Sequence, residues 1–344
     1  MRYYSIIITN PQTGAIIRPA PFASLGLPAS YTSFVNGRSI PGAQNIELDF
    51  PVFNFSTPMG RAWLRVWGIS IQEIAQAQDL VGCNISVYGG MQAGLPLANP
   101  KQAGLLVQGQ IYQALGNWEG LDQTLDLFIY PNVGTSEDPK NIVLTWPANT
   151  TLASALQVTC QNAFPTLTPN IAISDKIVQP RTDVGTFASL DGLAQWCRDK
   201  SVEIVGGSYI GVAIAVKGSE IKIYDNGVAP PDGQQTKAIA FQDLIGQPTW
   251  IDAPTISFKT VMRADIAVGD YIQMSGALAT ATPGSLIGTP LRAKPTFAGT
   301  FQIQIVRHLG NFRQPDASSW VTVFNAYPVP FSTSDINGPS AAGT

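Results

Sequence analysis

A single histidine, three cysteines, one glycine-bearing turn, two acidic pairs and four tryptophans are the groups in this 344-residue chain that invite a chemical reading. His308 lies in FQIQIVRHLG, on a strand face shared with Gln302, Gln304 and Val306. A zinc site there would need carboxylates from elsewhere, because no second histidine exists and no cysteine is near in sequence. A structural or surface role is the expectation. Cys83, Cys160 and Cys197 are odd in number, far apart and without metal-ligand spacing, which fits free thiols in a reducing cytoplasm. VGGSYIG at 205–211 is weakly similar to a phosphate-binding loop, but that loop must open a helix whose N–H groups face the phosphate. Here VAIAVKG follows and alternates like a strand, so the segment reads as a turn. Asp122 with Asp126, or Glu47 with Asp49, offers the carboxylates of a glycan-cleaving acid/base pair. Strand parity sets Glu47 and Asp49 together, opposite Ile46, Leu48 and Phe50, which marks a solvated or interface face. Trp63, Trp67, Trp118 and Trp250 could stack on sugar rings or partner chains, with core or interface burial the expected role. No catalytic, cofactor-binding or metal residue is assigned.

The elements that would position these groups begin with the stretch Asp243–Met274. Ile256, Phe258 and Met262 alternate with Ser257, Lys259 and Arg263, the period of a half-buried strand with Arg263 on its polar side. Gly269-Asp270 supplies a turn. Ile272 and Met274 then oppose Gln273 and Ser275, and strands at 301–310 and 320–328 follow a Gly-Pro-bearing loop. Together they read as a small antiparallel β unit.

Toward the N-terminus, strands are expected at 3–8, 46–50, 62–69, 84–89, 104–115 and 124–131, after a loop-rich segment carrying Pro19, Pro21, Pro28 and Pro41. The stretch 62–69 is apolar on both faces, as a central or interface strand would be. Ser70 and Glu73 form a capping box ahead of a short helix IQEIAQAQDLV. A β-barrel or sandwich with one helix is the reading for 1–135. The break NVGTSEDPK leads to a middle α+β domain, 136–235. Its two one-sided helices, at 151–164 and 186–200, each follow a threonine cap and carry Leu152, Leu156 and Cys160, then Phe187, Leu190 and Leu193. VEIV, GVAIAVKG and EIKIYDNG are expected to supply its sheet. After the linker 230–235 a second barrel spans 236–330, and 331–344 reads as a flexible tail.

Composition narrows the function classes. Charged residues make up 12% against a usual value of about 25%, which fits a surface covered by other subunits. Net charge is −3 and no two Lys or Arg residues are adjacent, so sequence-specific nucleic-acid binding is not expected. The apolar run in MRYYSIIITNP is too short for a signal peptide or a membrane span. A soluble protein without membrane insertion is expected, and the sequons at Asn54, Asn84 and Asn149 carry no weight.

Leu244-Ile245-Gly246, Pro248, Met262-Arg263, Asp265-Ile266, Val268-Gly269-Asp270, Arg307-His308 and Trp320 form a pattern that resembles the closing domain of baseplate hub proteins of contractile-tailed bacteriophages. The order of elements in the first and middle parts is similar too. The resemblance implies two tail-tube-like antiparallel β-barrels per chain with a middle α/β domain. It implies a homotrimeric, non-enzymatic virion protein of the tail baseplate, assembled in the host cytoplasm. Its partners would be the tail tube protein, the central spike protein and other baseplate components. Three copies would present six barrels, adapting a sixfold tube to a threefold spike around a DNA ejection conduit. Two other classes fit the residues: a carbohydrate-active or carbohydrate-binding tail-tip module, and a hexameric distal tube connector.

Overall fold

Strict alternation at Ile46, Leu48 and Phe50 makes one strand face apolar and the other acidic, and the same logic recurs along most of the chain. A computed structural model describes residues 1–18, 24, 26–54, 62–92, 99–130, 141–230, 234–251, 255–278 and 296–330. Pro19, Pro21, the break at 132–140, residues 231–233 of the linker, the loop before 296 and the tail from Phe331 lie outside the described residues.

The first part contributes β1 (Arg2–Thr9), β2 (Ile16–Ile17), β3 (Tyr31–Thr32), β4 (Phe34–Val35), β5 (Arg38–Ser39) and β6 (Ile46–Val52). β7 (Ala62–Trp67), helix α1 (Ile71–Ala75), β8 (Asn84–Met91), β9 (Gly104–Glu119) and β10 (Asp122–Tyr130) complete it. Ser70 caps α1 as a capping box, its side chain accepting from the Glu73 N–H while Glu73 reaches back. The helix is shorter than IQEIAQAQDLV implies: a 3-10 turn, Ala77–Leu80, takes over after Gln76.

The middle part runs β11 (Ile142–Trp146), α2 (Leu152–Ala163), β12 (Thr168–Ala172), β13 (Asp183–Phe187), α3 (Leu190–Val205), β14 (Val212–Lys217) and β15 (Glu220–Asp225). Thr151 caps α2 as expected. The second helix differs: Thr186 and Phe187 belong to β13, and Ser189 is the cap. VEIV is the last turn of α3, not a strand. Its β-branched residues look strand-like locally, yet Ile204 packs on the core that Leu190, Leu193, Ala194 and Cys197 help to form, Val202 and Val205 are exposed, and Gly206, at φ +67°, stops the helix. The third strand of that sheet is β12, parallel to β15. Phe187 is half-buried against the core that Leu190 and Leu193 complete.

The last part runs β16 (Lys237–Ile239), β17 (Thr249–Trp250), β18 (Ile256–Val261), β19 (Tyr271–Leu278), β20 (Thr296–Asn311) and β21 (Trp320–Pro328). Gly269 turns the chain at φ +77°. Arg263 is a correction: it follows the strand end at Val261 and is buried, with its guanidinium fork on Asp265 at 2.7 Å through both Nε and Nη2.

The fold is mainly β. The first and last parts share one sheet, ordered β17-β18-β21-β20-β6-β7-β10-β9-β8-β1-β2. The fusion is β20, whose early residues pair with β19 and whose later ones, Val306–Asn311, pair with β6. Arg2 locks the joint from the other end of the chain. Its guanidinium donates to the carbonyls of Asn311 (2.9 Å), Phe312 (3.1 Å), Gln314 and Asp316 (2.8 Å) and to Ser319 Oγ (2.8 Å). Separate apolar cores sit beneath the first part and within the middle part. A third core joins Ala213, Ala215 and Tyr224 of the middle part to Ile239, Ile266, Ile272 and Phe324 of the last.

Candidate functional site

Seven strands, β9-β10-β7-β6-β20-β21-β18, turn one face to the apolar cores and the other outward. The register makes this continuous: Leu125, Val66 and Ile46 lie side by side on the core face, as do Ile303, Ala326 and Ile256. On the outward face Asp126, Arg65, Glu47 and Asn311 form one row. Asp126 is 3% exposed and takes the Arg65 fork at 2.7 and 3.0 Å. It also accepts from Trp63 Nε1 (3.1 Å) and Asn117 Nδ2 (3.0 Å). Asp126 holds Arg65 above its usual pKa, and the guanidinium carbon sits 5.3 and 5.5 Å from the ring centres of Trp63 and Trp67. Asn311 donates to Glu47 Oε1 at 2.9 Å. Arg307 bonds Asp49 with its fork at 2.7 and 2.5 Å. Half-exposed pairs of this kind contribute little net stability. Their effect is to fix register and to neutralise cations across the face.

Three of the four carboxylates considered for glycan cleavage are thus engaged by other side chains. Glu47 and Asp49 sit on the outward face and bond β20 side chains. Asp126 is enclosed by Arg65, while Asp122 is exposed at the β9–β10 turn. Of the tryptophans, Trp63, Trp67 and Trp250 are half-buried and Trp118 is 62% exposed. VGGSYIG is the turn between α3 and β14, with Gly206, Gly207 and Gly211 at positive φ. Cys160 and Cys197 share the middle core and Cys83 lies in the first, all buried. Burial pushes the Cys160 thiol up to about 11, which keeps it protonated and unreactive. Among the described residues, no grouping of His, Cys, Asp and Glu could hold a metal ion.

A cleft of about 1120 Å³ lies where the three parts meet, lined by Lys217, Lys222, Lys237, Asp265, Asp270 and His308, among others. Sequence reasoning missed this cluster, because its members come from four separate segments. Asp270 accepts from Lys222 (2.6 Å), Lys237 (2.7 Å) and the Ala267 N–H (2.8 Å). Burial alone would raise its pKa, but the two ammonium groups carry it below the usual value. Lys237 also donates to the Asp265 carbonyl, and Lys217 to that of Ala264. Every ammonium in the cleft is thus committed, and the arrangement is a joint between β15, β16 and the 264–270 turn. Tyr224 packs its ring against Gly269 at the same joint.

His308 is fully enclosed at 3% exposure. Its Nδ1 lies 2.9 Å from Thr322 Oγ1. That hydroxyl donates to the Arg263 carbonyl and accepts from the Arg263 N–H, so the ring carries its proton on Nδ1 and donates to Thr322. Burial, assisted by Lys217, pushes the imidazole down to about 3. His308 is a neutral structural group, as its isolation in the sequence implies.

Fold comparison finds a similar architecture in a tail protein from Neisseria meningitidis MC58, which superposes with a TM-score of 0.50 at 8% identity, covering 97% of this chain and 99% of that one. The likeness is one of fold. Two further solved structures align less well. The E. coli c3393 protein, described as a type VI secretion component with structural similarity to the T4 bacteriophage tail proteins gp27 and gp5, gives 0.46 at 10% identity over 86% of this chain and 76% of that one. The 43 kDa tail protein of prophage MuSo2 from Shewanella oneidensis gives 0.45 at 8% identity over 94% and 96%. No protein-family model matches the sequence, and no curated protein matches it.

Proposed function

We propose that the chain is a trimeric baseplate hub that joins a sixfold tail tube to a threefold central spike and lines part of the DNA ejection conduit. The observation that carries this reading is the uninterrupted outward face that β6 and β20 fuse from the first and last parts. In this reading 1–135 and 236–330 are two tube-like units per chain, and 136–235 is mounted beside them through the Asp270 joint. Three copies present six units, so one object satisfies both symmetries. The outward face suits a conduit. Its carboxylates Glu47, Asp49, Glu119, Asp122 and Asp126 outnumber Arg65, Lys259 and Arg307, and two of those cations are already paired. A wall of that kind does not gather the free cations that hold phosphate.

Light scattering on the purified chain tests the reading. A species of three 36.7 kDa chains, alone or on addition of its spike protein, is the expected result. A monomer under both conditions at the highest soluble concentration overturns it, and a hexamer points to a distal tube connector instead.

A further inference from the structure

The fused sheet ends differently at its two sides, and the ends complement one another. On one side β8 pairs with β9 only over Gly104–Gln110, so the arm Tyr112–Glu119 pairs with β10 alone among the described strands. The carbonyl of Ala114 on that open side is taken by Gln78 Nε2 at 2.9 Å. No described backbone partner takes up the corresponding groups of Gly116 and Trp118. The hairpin tip beyond them carries Trp118 and Leu121, 62% and 101% exposed, the latter the most exposed large apolar side chain described. Glu119 and Asp122 flank the tip and are exposed without a described ion pair. On the other side the sheet closes on β17, and Ile251, the residue that follows it, is 48% exposed. Lys259 of β18 is exposed next to it, again without a described ion pair.

Face parity fits these ends together. Trp118 lies opposite Gln123, two residues from Leu125, and so extends the core face; Trp250 lies opposite Ile256 and extends the same face. Glu119, Asp122 and Lys259 all lie on the outward face. If one sheet continues into the next, apolar side meets apolar side and the acidic tip meets the lysine. An open strand edge beside exposed apolar residues is a site that proteins ordinarily cover.

We infer that copies of this chain associate head to tail, the β9–β10 tip of one (Trp118, Glu119, Leu121, Asp122) seating on the β17–β18 end of the next (Ile251, Lys259). This rests on the hub reading and names its subunit contact. Two unlike patches joined by rotation give a closed ring, with each copy both donor and acceptor. Pro248 beside β17 limits strand addition there, so side chains carry that half of the contact.

Cysteine cross-linking tests it, since all three native thiols are buried. Glu119→Cys and Lys259→Cys are made in separate chains, each checked for folding by circular dichroism and for mass by light scattering. An oxidised mixture is expected to give a covalent dimer in yield an order of magnitude above either variant alone, and the double variant a covalent ring. Equal cross-linking of either variant with itself overturns the head-to-tail contact. No cross-link from the mixture while the wild type is trimeric also overturns the contact but leaves the hub reading standing. A wild type that stays monomeric overturns the hub reading and this inference with it.

Discussion

His308 lends itself to a quantitative test because it is the only histidine in the chain, so one ring reports alone. Folding holds its pKa at about 3 against an ordinary 6.5. The unfolded chain therefore takes up a proton first as pH falls below 6.5, and the folded chain resists until about 3. Stability from this group is complete above the unfolded value and is lost through the window between the two. Each pKa unit corresponds to about 1.4 kcal/mol. Linkage then gives a loss of about 2 kcal/mol between about pH 7 and pH 5, and about 4 kcal/mol if the fold survives to pH 3. Urea unfolding at the two upper pH values measures the first figure. His308→Asn, whose amide can replace Nδ1–H toward Thr322, should be less stable at neutral pH but lose most of that pH dependence. Selective carbon labelling of the ring reads the cause directly: its resonances should not move between neutral pH and about pH 5. A ring in the folded protein that titrates near 6.5, or a His308→Asn variant as pH-sensitive as the wild type, would refute the reasoning.

Other substitutions probe the joints between the parts. Gly269 and Gly246 share φ +77°, but a Cβ on Gly269 would lie 2.5 Å from the Tyr224 ring while one on Gly246 meets nothing within 4 Å. Gly246→Ala should cost about 1 kcal/mol from backbone strain and Gly269→Ala about 2–5 kcal/mol from strain plus overpacking. Equal losses in thermal or urea unfolding would show that Tyr224 does not hold the middle part in place. Arg2→Ala strips five hydrogen bonds from the 311–319 turn and should cost about 2–3 kcal/mol. Arg2→Lys should recover less than half, because an ammonium cannot reproduce the planar fork. Full recovery by lysine would show that charge alone holds the turn.

Local pattern revealed most of the elements and few of their partners. The alternation at Ile46–Phe50 and Ile256–Phe258, the Ser70–Glu73 box and the helix at 152–163 were all legible, because side-chain period and capping are properties of neighbouring residues. VEIV misled because its β-branched composition favours a strand, while the packing of Ile204 on the middle core as the last turn of α3 decides for helix. Arg263 misled because alternation stops at Val261, after which parity no longer assigns a face. The pairing of β6 with β20 could not be read at all. A period of two states which side of a strand is apolar and says nothing about which strand lies beside it. The Asp270 joint was hidden for the same reason, its lysines and aspartate becoming neighbours through three separate strand pairings.

The partner that Asp49 finds on β20 stands 258 residues further along the chain. At about 5–20 residues per second, β6 leaves the ribosome roughly 10–50 s before the strand that will cover it. Throughout that wait its side toward β20 is an unfilled template for any passing strand, and non-local pairings of this kind also form slowly once both partners exist. Glu47, Asp49 and Pro51 lie along that strand, and charge and proline are what discourage strand addition. The acids that later bond Asn311 and Arg307 thus serve first as gatekeepers of a nascent chain, holding β6 in reserve until β20 arrives.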